Sequence, residues 1–244
     1  MSEQTDFEAV KSAEEIQSFW DEALRTQASV LVWTRDQDEV VRSHLTVIRE
    51  NKKQLFVHRP AQMNVADFTA KLAATGTPLC YFSISLARAN VFFRAPFVNA
   101  DAAELKFEYP EAVFKVQRRQ DMRLKVNELL KLNVEFQDPT NASNWIKRRI
   151  VDLSAGGLSF VAPTEEANRL PVGLKLEEMR FMIEGQSITC HGQVKSVRPS
   201  RDKPKKGEEF MVGVNFTGLP AAKNQVIARF VFNETRKIFS SLLH

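Results

Sequence analysis

The sequence predicts a mainly β chain of two domains: an N-terminal β-barrel or split-barrel-like domain carrying a short helix, and a C-terminal six-stranded β-barrel with a closing α-helix. Three observations predict it. The length of 244 residues exceeds the commonest domain size. Short runs rich in β-branched and aromatic residues recur between polar breaks along the chain. Clear helical spacing is concentrated near the two ends.

Residues 11–26 (KSAEEIQSFWDEALRT) carry Ile16, Phe19, Trp20 and Leu24 at helical spacing with acids early in the segment, the pattern of one amphipathic helix. Three strand-like runs follow, SVLVWTR, VVRSHLTVIRE and KKQLFVHR, separated by the polar breaks DQDE and ENKK, which read as hairpin loops. Residues 61–75 suit a short helix or a structured loop, and PLCYFSIS, NVFFRAPFV and AELKFEY complete the first domain's strands.

The stretch EYPEAVFKVQRRQDMRL turns basic and leads into KLNVEFQ, where Leu132, Val134 and Phe136 alternate with polar residues. This places the domains at 1–112 and 113–244, with an arginine-bearing linker at 113–123. WIKRRIVDL, GGLSFVA, KLEEMRFMIEG, ITCHGQVKSV and EFMVGVNF supply five further strands. In two of them the alternation is clean: Ile188, Cys190 and Val194 against Thr189, His191 and Gln193, then Phe210, Val212, Val214 and Phe216 against Met211, Gly213 and Asn215. The chain closes with a helix after Pro220 whose apolar stripe is Val226, Ile227, Phe230 and Val231. The loop PSRDKPKKGEE reads as a solvated hairpin tip.

Composition excludes several function classes. Hydrophobic residues at 43% and charged residues at 26% argue against a disordered or membrane class. No apolar run approaches a membrane span and the polar N-terminus lacks a signal-peptide core, so a soluble, cytoplasmic protein is expected. The two cysteines, Cys80 and Cys190, lie far apart without metal-like neighbours, which gives no support to a disulfide or a zinc site. His44, His58, His191 and His244 have no paired acid or nucleophile at triad-like positions, so neither an enzyme nor a metal centre is expected. Trp20, Trp33 and Trp145 read as core or edge packing. A P-loop and a Rossmann fingerprint are both absent.

Charge points to the second half. Residues 1–110 hold 12 Lys+Arg against 15 Asp+Glu, net −3, whereas residues 111–244 hold 22 against 15, net +7. An anionic partner is therefore expected there. Arg119 and Arg123 are four apart, which puts them on one face of a strand or of a helix, and Arg118 adds a third guanidinium. A guanidinium fork grips phosphate bidentately, pairs with guanine O6 and N7, and stacks on a base. Downstream, Asp152-Leu153-Ser154-Ala155-Gly156-Gly157 falls between two predicted strands. Asp and Ser side chains fold back on backbone N–H groups in such turns, and paired glycines allow positive φ and a close ligand approach. The Asp152 carboxylate is suited to guanine N1 and N2, and Ser154 with nearby N–H groups to phosphate. Taken singly, the second motif is equally a hairpin turn and the first a basic linker. Lys147, Arg148 and Arg149 either solvate the sheet or add field toward the same ligand.

Together, RRQDMR followed about thirty residues later by DLSAGG resembles the PilZ domain, a family of bacterial receptors for cyclic di-GMP. The resemblance covers the RxxxR motif (Arg119, Arg123), the (D/N)xSxxG motif (Asp152, Ser154, Gly157) and the strand, proline and helix at the end. It implies a cyclic di-GMP site of Arg118, Arg119, Arg123, Asp152, Ser154, Gly156 and Gly157, without catalysis, cofactor or metal. Arg118, where the family often carries a further arginine, implies an intercalated nucleotide dimer. The first half, on its layout and on EYPEAVFKVQRR, resembles the N-terminal domain of YcgR-like flagellar brake proteins. That implies a partner in the flagellar motor or elsewhere in the cytoplasm, association with the basal body, and a regulatory output on motility. Two alternatives remain from the residues: a nucleic-acid binder using the basic half, which is disfavoured, and a flavin enzyme through the N-terminal barrel.

Overall fold

The computed structural model describes residues 7–34, 40–74, 76–117, 122–126, 130–200 and 209–242. The break DQDE, Arg118, Arg119 and most of the loop PSRDKPKKGEE lie outside the described residues. By their contacts the described residues divide into an N-terminal unit of 7–117 with 239–242, and a C-terminal unit of 122–238.

In the N-terminal unit, β1 (Glu8–Val10) precedes α1 (Ala13–Thr26). The helix starts where Ser12 accepts a hydrogen bond from Glu15 N at 3.2 Å, with Glu14 and Glu15 against its positive end. It ends at Gln27 in the left-handed region, φ 48°. Trp20 and Ala23 on its inner face are wholly buried. The strands are β2 (Val30–Trp33), β3 (Val41–Ser43), β4 (Leu45–Arg49), β5 (Gln54–His58), β6 (Leu79–Ser85), β7 (Ala89–Ala100), β8 (Glu104–Glu108) and β9 (Val113–Gln117), with α2 (Val65–Ala74) between β5 and β6. Their order is β3-β2-β6-β7-β8-β5-β4, with β9 also on β7 and β1 on β9.

The sheet divides along β7. Its first part runs between β6 and β9, and from Phe97 on it pairs with β8, with a register shift between Phe97 and Asn99. The run VVRSHLTVIRE, expected as one strand, breaks at His44. Its two halves serve different neighbours, β3 pairing with β2 and β4 with β5, while the His44 carbonyl accepts from His58 N at 3.0 Å. The break ENKK is a 3-10 turn ending at Lys53, φ 49°. Phenylalanine fills the core: Phe82 stacks on Phe93 at 4.6 Å and meets Phe107 edge-on at 4.9 Å. Such pairs add about 0.5–1.5 kcal/mol beyond burial.

The C-terminal unit contains β10 (Arg123–Lys125), β11 (Asn133–Asp138), β12 (Asn141–Ser154), β13 (Gly157–Pro163), β14 (Lys175–Ile183), β15 (Gln186–Pro199) and β16 (Glu209–Thr217). Strands β12-β11-β14-β15-β16-β13 pair antiparallel in that order and β13 returns to β12, closing a six-stranded barrel; β10 is added outside the ring on β12. The sequence alternation matches: Val134, Phe136, Ile188, Cys190, Val194, Val212 and Val214 are buried. Two helices join the barrel, α3 (Thr164–Ala167) and α4 (Ala221–Leu242). The four-residue α3 leaves no periodic signal. In α4, Ile227, Phe230 and Val231 are buried on the barrel's core cluster.

Candidate functional site

The arginine and glycine motifs meet through strand register. On β10 and β12, Leu124 lies opposite Leu153, and both are fully buried. The flanking pairs, Arg123 opposite Ser154 and Lys125 opposite Asp152, therefore project on the other, outer face. The same rows continue across the barrel wall: Asp152 opposite Ser159 and Ser154 opposite Gly157 on β13, then Ser159 opposite Gly213 and Gly157 opposite Asn215 on β16. The result is a floor of serine and glycine, with Asp152 on it and the cations of Arg123 and Lys125 at its β10 margin.

Each motif residue has a definite structural task. Ser159 Oγ donates to Asp152 Oδ2 at 2.9 Å, fixing the carboxylate's orientation while leaving it acceptor sites. Ser154 is buried and its hydroxyl donates to the Gly157 carbonyl at 3.1 Å, closing the turn rather than reaching outward. The Gly156 carbonyl accepts from Phe216 N at 2.9 Å, and the Ala155 carbonyl from Asn224 Nδ2 of α4 at 2.8 Å. Positive φ, expected of the paired glycines, is found instead at Gly76, Gly173, Gly185 and Gly218. Gly157 answers a different need: a Cβ there would overlap the Val214 carbonyl and sit 3.1 Å from Asn215 Cα, so only glycine lets β13 and β16 come this close.

Arg118 and Arg119 lie outside the described residues, so the geometry describes one of the three arginines, Arg123, which is exposed. Of the basic run on β12, Lys147 pairs with Glu135 at 2.9 Å and Arg148 with the buried Glu166, which compensates two of its three charges. Lys125, Ser159, Gly213 and Asn215 share the same wall and Asn224 bonds its turn, and none of them was singled out as a site residue from sequence. The wet-face assignment of Gly213 and Asn215 was the one available signal. Trp145 is an edge residue, 38% exposed, with the Arg180 guanidinium 4.2 Å from its ring centroid. Trp20 and Trp33 are buried and His191 is exposed.

Residues 117–233 match the model of the PilZ domain. The chain carries a PilZ domain. All seven motif residues fall inside it, and so does the closed barrel. Among curated relatives, the chain is 28% identical over 133 residues to a flagellar brake protein YcgR of Thauera aminoaromatica, covering 53% of this chain and 49% of that one. It is 22% identical over 221 residues to flagellar brake protein YcgR 1 of Dechloromonas aromatica, covering 88% of this chain and 82% of that one. The first match thus spans about half of its relative's length. Among solved structures, a MrkH–c-di-GMP complex from K. pneumonia is similar over 97% of this chain and 100% of that one, at 16% identity and a TM-score of 0.45. Among the described residues, no helix of the PilZ domain or of the N-terminal unit is long and apolar enough to cross a membrane, and no group of three or more His, Cys, Asp or Glu is placed to hold a metal ion.

Proposed function

We propose that this chain is a bacterial cyclic di-GMP receptor that regulates motility or a related output without catalysis. The observation that carries this reading is the β10–β12 register, which gathers Arg123, Asp152 and Ser154 on one outer face of the PilZ domain. There Arg119 and Arg123 grip phosphate and guanine, Asp152 accepts from the guanine N1 and N2 donors, and the Gly156–Gly157 turn lets the nucleotide approach the backbone. Arg118 caps a second nucleotide, so the ligand is an intercalated dimer.

Charge-assisted bonds of about 1.5–3 kcal/mol each, from several such groups, suffice for micromolar binding at about −8 kcal/mol after ordering costs. The ligand holds the segment 113–123 and so alters the orientation of domains 1–112 and 113–244. A site that is also a hinge supplies the differential contacts a switch needs. The names of the two curated relatives favour a cytoplasmic partner at the flagellar motor or basal body.

Calorimetric titration with cyclic di-GMP tests the binding. The wild type is expected to take two nucleotides per chain, and Arg119→Ala to bind at least tenfold more weakly. A stoichiometry of one removes the dimer, and equal affinity for both proteins removes the site. Small-angle scattering tests the switch, which identical profiles with and without saturating ligand would rule out.

A further inference from the structure

Ser159 lies outside both motifs yet on the same outer wall, where β13 sets it opposite Asp152 of β12 and Gly213 of β16. Its place beside the carboxylate comes from a bulge. Ile150 pairs with Phe160 and Asp152 with Ser159, so Val151 is an extra residue on β12 and the aspartate, not the valine, meets the serine. A bulge of this kind re-aims a side chain beside a working surface. On the other flank Gly213 offers no side chain, and the Ser196 hydroxyl lies 2.6 Å from where a Cβ would sit. The Ser159 hydroxyl is given to Asp152, donating to Oδ2 at 2.9 Å.

Two observations set this bond apart from packing. Ser159 is buried at 9% exposure whereas Asp152 is half-buried, so a ligand on the wall meets the carboxylate rather than the hydroxyl. Among the described residues, Ser159 is also the one side-chain donor to Asp152. A carboxylate turns about its last torsion in a broad, twofold well, and holding Oδ2 fixes the plane of both oxygens. Oδ2 keeps a further lone pair for a ligand. Guanine presents N1–H and N2–H side by side on one edge, so two acceptors held in that plane take both donors. Hypoxanthine keeps N1–H but lacks the amino group, and engages one oxygen only.

We propose that Ser159 is a positioning residue for base selectivity, which acts through Asp152 by holding both carboxylate oxygens along the guanine edge so that the N2 amino group is read as well as N1–H. The assignment rests on the cyclic di-GMP reading of the site. A purely structural hydroxyl would change affinity for both bases alike, whereas positioning changes their ratio.

Calorimetric titration of the full chain with cyclic di-GMP, and with cyclic di-IMP as the analogue carrying hypoxanthine, measures that ratio for wild type, Ser159→Ala and Asp152→Ala. The wild type is expected to favour cyclic di-GMP by about tenfold or more, the effect of one charge-assisted hydrogen bond. In Ser159→Ala the ratio should fall at least about threefold, chiefly through weaker cyclic di-GMP binding, at an unchanged far-ultraviolet circular dichroism spectrum. Asp152→Ala should weaken cyclic di-GMP about tenfold or more and abolish the preference. A wild-type ratio near one, or equal ratios in wild type and Ser159→Ala beside a weakened Asp152→Ala, overturns the positioning role and leaves the site standing. Absence of binding by the wild type, or Asp152→Ala binding as tightly as wild type, overturns the site and the proposal with it.

Discussion

Of the two β units, the described strands of one close into a ring and those of the other do not, and the difference decides where buried side chains, hollows and exposed polar groups lie. In the C-terminal unit six strands return on themselves, so the interior is packed with Phe136, Phe160, Ile188 and Val214 and leaves the motif side chains Arg123 and Asp152 on the outer wall. In the N-terminal unit the described strands run from β3 to β4 without pairing, and β7 divides its partners, so hollows remain at the sheet margin beside α2. A closed barrel presents a surface and a divided sheet keeps a pocket. Four perturbations break or sharpen that contrast.

Core truncation should have the largest effect. Phe160→Ala removes a fully buried ring of the closed barrel and Phe82→Ala one from the divided sheet, and each should cost roughly 3–5 kcal/mol. Urea unfolding followed by circular dichroism measures both. A markedly smaller loss for Phe82→Ala would mean that the divided sheet relaxes around the void, which sharpens the contrast.

Two glycines come next. Gly157→Ala forces β13 from β16 and should cost about 1–3 kcal/mol by overpacking. Gly76 has open space but φ 73°, so Gly76→Ala should cost about 1–2 kcal/mol through backbone strain alone. Added cyclic di-GMP should separate them, with Gly157→Ala losing affinity and Gly76→Ala keeping it.

Acid acts on the barrel through Asp138. Hydrogen bonds from the Thr140 hydroxyl and amide, with Arg169 at 2.7 Å, hold its carboxyl below the usual value. A depressed folded pKa gives stability that is complete above the ordinary carboxylate range and is lost as pH falls through the depressed value. Asp138→Asn should therefore flatten the fall in Tm on acidification, and an unchanged acid slope would exclude this contribution.

The smallest effect is chemical. Burial pushes the Cys80 thiol up to about 12 and the Cys190 thiol up to about 11. Thiolates are the reactive form. At pH 8 both should resist a disulfide reagent in the native protein, with Cys190 modified first as pH rises.

Alternation made the barrel strands legible, because a half-buried strand writes its inner face into every second residue: Ile188, Cys190 and Val194 were identified this way and are buried. The helix α1 was legible from its stripe and its acids. Register was not. That Arg123 faces Ser154, and that Gly213 lies beside Ser159, depends on pairing of β10 with β12 and of β13 with β16, segments about thirty or more residues apart, which no local pattern encodes. The division at His44 was hidden for the same reason, since β3 and β4 read as one apolar run until their partners are known. Gly157 was singled out for positive φ and a close ligand approach, whereas what the fold requires of it is close approach to β16. The margin cavity lies between elements separated in sequence and leaves no trace in any one of them.

The central claim is that the outer face of β10, β12 and β13 is a cyclic di-GMP site. Calorimetry of cyclic di-GMP against wild type and Arg123→Ala at matched ionic strength tests it most directly, since Arg123 is exposed and its loss should not unfold the barrel. The account predicts saturable micromolar or tighter binding by the wild type and at least a tenfold loss in Arg123→Ala, the equivalent of about 1.4 kcal/mol. Identical isotherms for the two proteins would contradict it.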